Sequence, residues 1–384
     1  MRKLVTVREV SKISPIEGAD RIEIAHVDGW QCVVKKGEFV VGSMGMFFEI
    51  DSMLPITVPR FSFFQNGIRE VDGVKYARIK TIKLRGQISQ GLLMPVNEFI
   101  SEILDVSDEM NIPREAPLFV EGAIDSTVDF AAKLGVIKYE RPDSGNGGHT
   151  NSGKTAGDFP HFIRKSDQPR IQNAYRFLSK QDQSLKLTPT LKLDGSSTTV
   201  AYLTDTKYHM EKLPVDDHGG QAYVCSRNLT LLEDAYDAFW IGARNSGLVD
   251  AAKEYHLQTG RNYAYQGELV GGSIQRNHEN HDEYKVYAYA VFDIDTQQYL
   301  TYSEMNEIFE SDAFAGVPRV PVFDDVTLGD FETVQEFLAY ADAVLSPFTK
   351  LPEGVVFHQT DVVDGSEPIT FKAISNRYLI KSDG

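Results

Sequence analysis

The sequence predicts an α+β chain in two parts. Residues 1–120 hold short runs rich in Val, Ile and aromatics, punctuated by Gly, Pro, Asp and Asn, the pattern of a small β-barrel or sandwich. Residues 156–384 interleave strand-like and helix-like segments without βαβ regularity, which predicts a mixed, mainly antiparallel sheet domain. Between them, residues 121–155 turn Gly-, Ser- and Asn-rich after Pro142 and read as a linker. A length of 384 residues, 42% hydrophobic and 24% charged, suits two ordinary globular domains.

Composition excludes several classes. Cys32 and Cys225 stand far apart and outside any Cys-x-x-Cys spacing, so neither a disulfide partner nor a zinc site is expected, and a reducing, cytoplasmic setting is the default. Arg8 and Glu9 interrupt any apolar leader, and no run is long enough to span a membrane. The net charge of −16 argues at first against a nucleic-acid partner, but it is unevenly placed. Residues 1–120 carry 15 Lys and Arg against 16 Asp and Glu, the remainder 24 against 39. Within the first part, Arg69, Lys75, Arg78, Lys80, Lys83 and Arg85 meet only Glu70 and Asp72. Charges beyond a Debye length of about 8 Å are largely screened, so a local basic strip can bind phosphate on an acidic protein. An ordinary solvated strand face is the competing reading.

In chain order, strands are predicted at 4–10, 21–27, 30–35, 45–50 and 75–84, with turns at Pro15-Ile16-Glu17-Gly18, Asp28-Gly29 and Lys36-Gly37. A bulge near Thr81 would bring Arg78, Lys80, Lys83 and Arg85 to one face for RNA binding, with Gly86–Gly91 as a closing loop. Gly148-His149-Thr150-Asn151-Ser152-Gly153-Lys154-Thr155 fits a phosphate-loop pattern, but neither a buried strand before it nor a helix after it is predicted. It is rejected as such. A helix is predicted at 171–179, then a strand carrying Lys192. Leu191 to Val200, with Asp194-Gly195 at its centre, reads as a hairpin in which Gly195 adopts a positive φ. Strands follow at 201–204 and 221–226 around a polar insert. Helices are predicted at 231–242, capped by Thr230 with Glu233, and at 248–260. Strands at 263–270 and 285–294, helices at 302–311 and 333–345, and strands at 354–359 and 369–374 complete the chain.

Ser14-Pro15-Ile16-Glu17-Gly18-Ala19-Asp20-Arg21-Ile22-Glu23, with Gly29-Trp30-Gln31, resembles the opening of OB-fold modules of the tRNA-binding type. Such barrels bind single strands through basic grooves with stacking aromatics. Trp30 is the stacking candidate, although a Trp beside a turn more often plugs the core.

Lys-x-Asp-Gly alone is an ordinary surface turn. Here Lys192-Leu193-Asp194-Gly195 is followed in order by Ser226-Arg227-Asn228, Gly267-Glu268-Leu269-Val270-Gly271, Val291-Phe292-Asp293-Ile294, Glu353-Gly354-Val355-Val356 and Phe371-Lys372. The ordered set resembles the motifs of covalent nucleotidyltransferases, the polynucleotide ligases and capping enzymes. A lysine amine can attack the α-phosphorus of ATP, but an unperturbed pKa of about 10.4 leaves it protonated, so neighbouring positive charge must lower it. Lys372 and a phosphate-bound Mg²⁺ or Mn²⁺ are expected to supply that charge. The resemblance implies a catalytic set of Lys192, Lys372, Glu353 and Glu268. It implies metal and ribose binding by Asp194, Glu268 and Glu353, a phosphate or ribose contact from Arg227, and stacking of adenine on Phe292.

Domain order narrows the family. The OB-like module leads, and only Ala373 to Gly384 follow Lys372. With Lys83–Gly91, Phe159-Pro160-His161-Phe162-Ile163-Arg164-Lys165 and Arg170-Ile171-Gln172-Asn173, this layout resembles the fifth family of ATP-dependent RNA ligases. The implied fold is an N-terminal OB-fold β-barrel followed by a nucleotidyltransferase domain of the ATP-grasp-like ligase type, with Gln172 also at the nucleotide. The implied activity is sealing of 3′-OH/5′-phosphate breaks in RNA or RNA-containing nicked duplexes by a monomer. DNA sealing, or a non-catalytic nucleic-acid-binding module, are the alternatives. Two departures stand out: Ile374 occupies the place of a second lysine, for which Lys381 is the candidate substitute, and Ser196 and Ser197 follow the Asp-Gly where an arginine sometimes stands. The insert 207–220 looks long, and its two histidines, like His278 and His281, read as solvated loop residues.

Overall fold

The computed structural model describes residues 2–64, 67–109, 128–139, 154–362 and 365–382. Most of the predicted linker, and all of the phosphate-loop pattern before Lys154, lie outside them. Lys154 pairs with Asp234, and a strand, Thr155–Asp158, follows it rather than a helix. Among the described residues no helix is long and apolar enough to cross a membrane.

Contacts divide the chain into two units: Met1–Arg141 with Ile171–Lys180 and Leu379–Gly384, and Pro142–Arg170 with Gln181–Tyr378. The helix Ile171–Leu178 thus packs with the first unit although it follows the linker in sequence. The first unit is built from short antiparallel strands. Lys12–Pro15, Ile22–Val27 and Trp30–Lys35 form a meander in which Asp28 takes the left-handed turn at φ 48°. Val5–Glu9, Met44–Phe48 and Leu92–Pro95 form a second sheet. Trp30 is fully buried, packs on Phe47 and donates its indole N–H to Asn173 at 2.9 Å. It is a core plug, not a stacking platform.

The strand predicted over 75–84 is two strands. Val74–Arg78 pairs with Ser52–Pro55 and Ile68–Val71, whereas Thr81–Leu84 forms a separate hairpin with Gln87–Gln90. The expected Gly86–Gly91 loop is therefore mostly strand, turned by Arg85 and Gly86, both with positive φ.

The second unit holds two antiparallel sheets. Seven strands run in the order Thr155–Asp158, Leu229–Leu231, Gln221–Cys225, Ser196–Leu203, Tyr263–Val270, Lys285–Asp293, Gln298–Tyr299. One face of that sheet (Val200, Tyr265, Leu269, Val286, Ala288, Val291) packs on Trp240, Ala243, Leu248, Ala252, Met305 and Ile308. Those six come from the helices Ala238–Asn245, Leu248–Thr259 and Tyr302–Phe309. The first of these starts at Asp237, whose carboxylate accepts from Phe239 and Trp240 N–H, not at Thr230. Thr230 is buried in a strand with its hydroxyl on Asp158 O, which removes it as a cap. In the insert, Asp216 accepts from Tyr202, Lys253, His218 N and Gly220 N and so orders the polar segment.

The smaller sheet runs Val326–Thr327, Lys186–Lys192, Gly354–Gln359, Thr370–Ile374. The helix Val334–Ala343, opened by a Thr333/Glu336 capping box, covers it. Phe337 stacks on Phe331 at 4.1 Å and meets Phe357 and Phe371 edge-on at 5.4 Å each. Phe337 is fully buried, so Phe337→Ala removes the middle of this aromatic stack. The expected cost is about 3–5 kcal/mol, read as a lowered urea midpoint with an unchanged slope. A midpoint at the native value would contradict the packing described.

Candidate active site

The turn at Asp194-Gly195 is not a hairpin. Lys186–Lys192 pairs with Gly354–Gln359 in the smaller sheet, whereas Ser196–Leu203 pairs with Gln221–Cys225 and Tyr263–Val270 in the larger one. The Asp-Gly step is the crossing between sheets. Gly195 is required by crowding, not by a positive φ: a Cβ there would lie 2.3 Å from Leu269 O and 2.8 Å from Glu268 Cγ. Its N–H donates to Glu268 Oε1 at 3.1 Å.

Lys192 sits opposite Gly354, which in turn pairs with Ile374. At Gly354 a Cβ would come within 2.2 Å of Ala373 O, so the strands close up only on glycine. On the other edge of the strand that Gly354 opens, Glu353 meets Lys192, Nζ to Oε2 at 2.7 Å, with both side chains largely buried. Asp194 is buried; its carboxylate accepts from Tyr378 at 2.5 Å and its N–H donates to Glu279 Oε1 at 2.9 Å. Lys372 lies two residues before Ile374, its Nζ 3.8 Å from Asp167 and its N–H on Pro169 O.

The electrostatics reverse one expectation. Burial pulls Lys192 down, but Glu353 and then Glu268 outweigh it, and its pKa rises above the ordinary lysine value. The lysine that is lowered is Lys372, pushed down to about 7 by burial and by the cations Lys192 and Arg170. Burial also lifts Glu268 to about 8, with Glu353 and Asp194 adding to the rise and Lys192 opposing it. Three carboxylates are thus gathered around one lysine. Such a surplus of hard oxygen donors fits a divalent cation. No group of three or more His, Cys, Asp or Glu in metal-holding geometry occurs among the described residues, so Asp194, Glu268 and Glu353 fit contacts through water or phosphate rather than a closed cage.

Other expected residues fall elsewhere. Phe292 is fully buried among Ile163, Leu203, Tyr223, Ala264 and Ile294, with Arg164 over its ring, and has no free face for adenine. Tyr289 takes the open position instead. The register between the strands slips at Gln266/Gly267, leaving Tyr289 as the extra residue, and it lines a cavity with Ser166, Asp167, Tyr299 and His358. The Tyr287-Ala288-Tyr289-Ala290 alternation carried that signal. Gln172 is buried in the first unit with its amide on Gln90. Arg227 is exposed in the turn between Gln221–Cys225 and Leu229–Leu231. Lys381 is exposed and belongs to the first unit, and Ile374 is buried.

In the basic strip, Arg78 is engaged by Asp51 at 2.6 Å and lies over the Tyr139 ring, while Lys83 and Arg85 are exposed and Lys80 is partly so. Arg78 therefore does not share one RNA-facing surface with the others. His278 and His281 are packed rather than solvated, His278 against Tyr378 and His281 against Phe348 and Tyr287. Glu279 and Tyr378, which touch Asp194, carried no motif and were not expected.

A family model described as an OB-fold domain matches residues 4–96, and one described as RNA ligase matches residues 186–374. Among solved structures the chain is similar to an RNA ligase of Naegleria gruberi. A variant with ATP and Mn shares 35% identity over 98% of either chain, at a TM-score of 0.80. The same protein with pyrophosphate shares 35% over 100% of this chain and 99% of that one, and a further variant with AMP and Mn shares 35% over 98% of both, each at 0.80. No curated protein matches the chain.

His358 reports on this region. It is buried, 3.0 Å from the Thr190 hydroxyl, and burial pushes it down to about 4. An unfolded histidine binds its proton near 6.5, so between those values the unfolded state holds more protons and folding stability falls as pH drops. The loss amounts to about 3 kcal/mol by pH 4, and His358→Gln is expected to lack it. Denaturant titrations of both proteins at pH 7 and pH 4 test this; a stability difference that does not change with pH contradicts it.

Proposed function

The chain belongs to the RNA ligase family, enzymes that depend on ATP and a divalent cation, and on that premise we propose that it seals 3′-OH/5′-phosphate breaks through Lys192. One observation carries the reading: the largely buried Lys192–Glu353 pair, with Glu268, Asp194 and Lys372 gathered around it.

In the first step the Lys192 amine attacks the α-phosphorus of ATP. A P–N bond forms, the Pα–O bond to pyrophosphate breaks, and the amine gives up its protons. In the second, an oxygen of the 5′-phosphate displaces Lys192 from that phosphorus, leaving a 5′-adenylylated end. In the third, the 3′-OH attacks the 5′-phosphate and AMP departs. Such transfers ask mainly for positioning and for stabilisation of charge. Glu353 holds the amine in one direction, and the Gly195 crossing keeps it at a rigid strand end. Lys372 places a cation beside the phosphates. Asp194, Glu268 and Glu353 would hold the divalent cation, which neutralises phosphate charge when bound. Tyr289 is the adenine-facing aromatic in this reading. Exposed Lys83 and Arg85 on the first-unit hairpin supply phosphate contacts to RNA, and the preferred substrate is a nick with an RNA 3′-OH strand.

Incubation with α-³²P-ATP and Mg²⁺ or Mn²⁺ tests the first step. Wild type is expected to yield an acid-labile, alkali-stable labelled adduct and Lys192→Ala none. A label that persists in the variant sinks the assignment. Nicks with ribonucleotides at the 3′-OH end are expected to seal faster than all-DNA nicks, equal rates favouring general DNA sealing.

Lys83→Ala with Arg85→Ala is expected to weaken nicked-duplex binding and flatten its salt dependence by about two ions, leaving adduct formation intact. Filter binding across a salt series checks this, and an unchanged slope removes the hairpin from the RNA surface.

A further inference from the structure

The segment 274–281, between the strands Tyr263–Val270 and Lys285–Asp293, matches no motif and yet is unusual. Gln275, Arg276, Asn277 and Asn280 all have positive φ, 47°, 58°, 53° and 53°. Such backbone persists only where its surroundings hold it, and it gathers at functional sites.

Three side chains of this segment reach outward. Glu279 Oε1 accepts the Asp194 N–H at 2.9 Å, and Gln275 Nε2 donates to Gly195 O at 3.3 Å. His278 Nε2 lies 2.8 Å from Leu351 O, a pure acceptor, so that nitrogen carries the proton. The His278 ring also stands edge-on to Tyr378, whose hydroxyl binds Asp194. Asn277 braces the segment internally through both His281 N and His281 O, at 2.9 Å each. One segment therefore grips the two residues of the sheet crossing after Lys192 and, at Leu351, the approach to Glu353.

Glu279 is the costly member. It is 1% exposed, and its second oxygen is buried with no hydrogen-bond partner among the described residues. A buried polar atom without a partner is penalised, and an apolar residue of equal volume would avoid the penalty. What such a residue could not do is accept the Asp194 N–H.

We propose that Glu279, with Gln275 and His278, is the positioning device of the nucleophile: it fixes the Asp194-Gly195 crossing, and through it the meeting point of Lys192 and Glu353. Glu279 touches no reacting atom and acts only through the main chain of Asp194. The inference rests on the reading of Lys192 as the adenylylated lysine.

Single-turnover transfer of AMP to the full chain, measured across ATP concentrations, tests it with Glu279→Gln, Glu279→Ala and Gln275→Ala. Glutamine keeps an oxygen that accepts the Asp194 N–H; alanine does not. Glu279→Ala is expected to lose roughly 10- to 100-fold in maximal rate, with half-saturating ATP changed by less than about threefold, and Glu279→Gln to restore most of the rate. Gln275→Ala, which disturbs no charge, is expected to lose rate in the same manner and serves if Glu279→Ala does not fold. Native rates in Glu279→Ala or Gln275→Ala overturn the proposal. So does a Glu279→Gln variant as slow as Glu279→Ala, which would assign the effect to charge. A wild type that forms no adduct overturns the ligase reading itself, a result distinct from any of these.

Discussion

The chemistry we propose for the second unit turns on one ion pair, Lys192 with Glu353. A largely buried lysine–carboxylate pair is a poor device for stability, because desolvation offsets most of the attraction. Its value lies in placement. Two neighbouring antiparallel strands bring the residues together, Lys192 lying opposite Gly354, while Gly354 lets the third strand close in at Ala373 on the other edge. Around the pair, its carboxylates keep Lys192 a cation, burial carries Glu268 towards its acid form, and burial with the cations Lys192 and Arg170 pushes Lys372 towards its neutral one.

The two lysines thus divide the electrostatic work differently from what their spacing suggests. Lys192, the nucleophile in our reading, is held in the wrong protonation state by the carboxylates that orient it. Lys372 can exist as a free amine near neutrality, and among the described residues its ion-pair partner is Asp167 at 3.8 Å. In the proposed reaction a divalent cation bound with ATP would engage the same carboxylates and loosen their hold on the Lys192 proton, coupling readiness for attack to binding.

What was legible in the sequence was local chemistry; what was not was pairing. Lys192, Glu268, Glu353 and Lys372 could be picked out because each sits in a short motif on a strand or, for Glu353, immediately before one, and the structure gathers them. The Asp194-Gly195 hairpin was misjudged because a turn signal says nothing about which sheet the next strand joins. Phe292 was singled out and Tyr289 passed over for a related reason: one extra residue in the strand decides which aromatic faces the cavity, and a bulge leaves no mark in composition. Thr230 and Glu233 had capping-box spacing, yet burial of Thr230 in a strand overrode it. Arg78 looked like part of a basic strip until Asp51, 27 residues away, claimed it. Glu279 and Tyr378 act through single long-range hydrogen bonds, for which sequence offers no pattern.

The pairing of Lys192 with Glu353 has a kinetic side as well. Its partners lie far downstream: Glu353 is 161 residues beyond Lys192, and Tyr378 is 184 beyond Asp194. Contacts of such separation form late, since loop closure must be met before they return anything. A growing chain therefore displays its lysine long before the carboxylate that orients it has been made. Competence requires Gly354–Gln359 to pair with Lys186–Lys192 and Thr370–Ile374 to pair with Gly354–Gln359, and a chain without those pairings holds a lysine but no site.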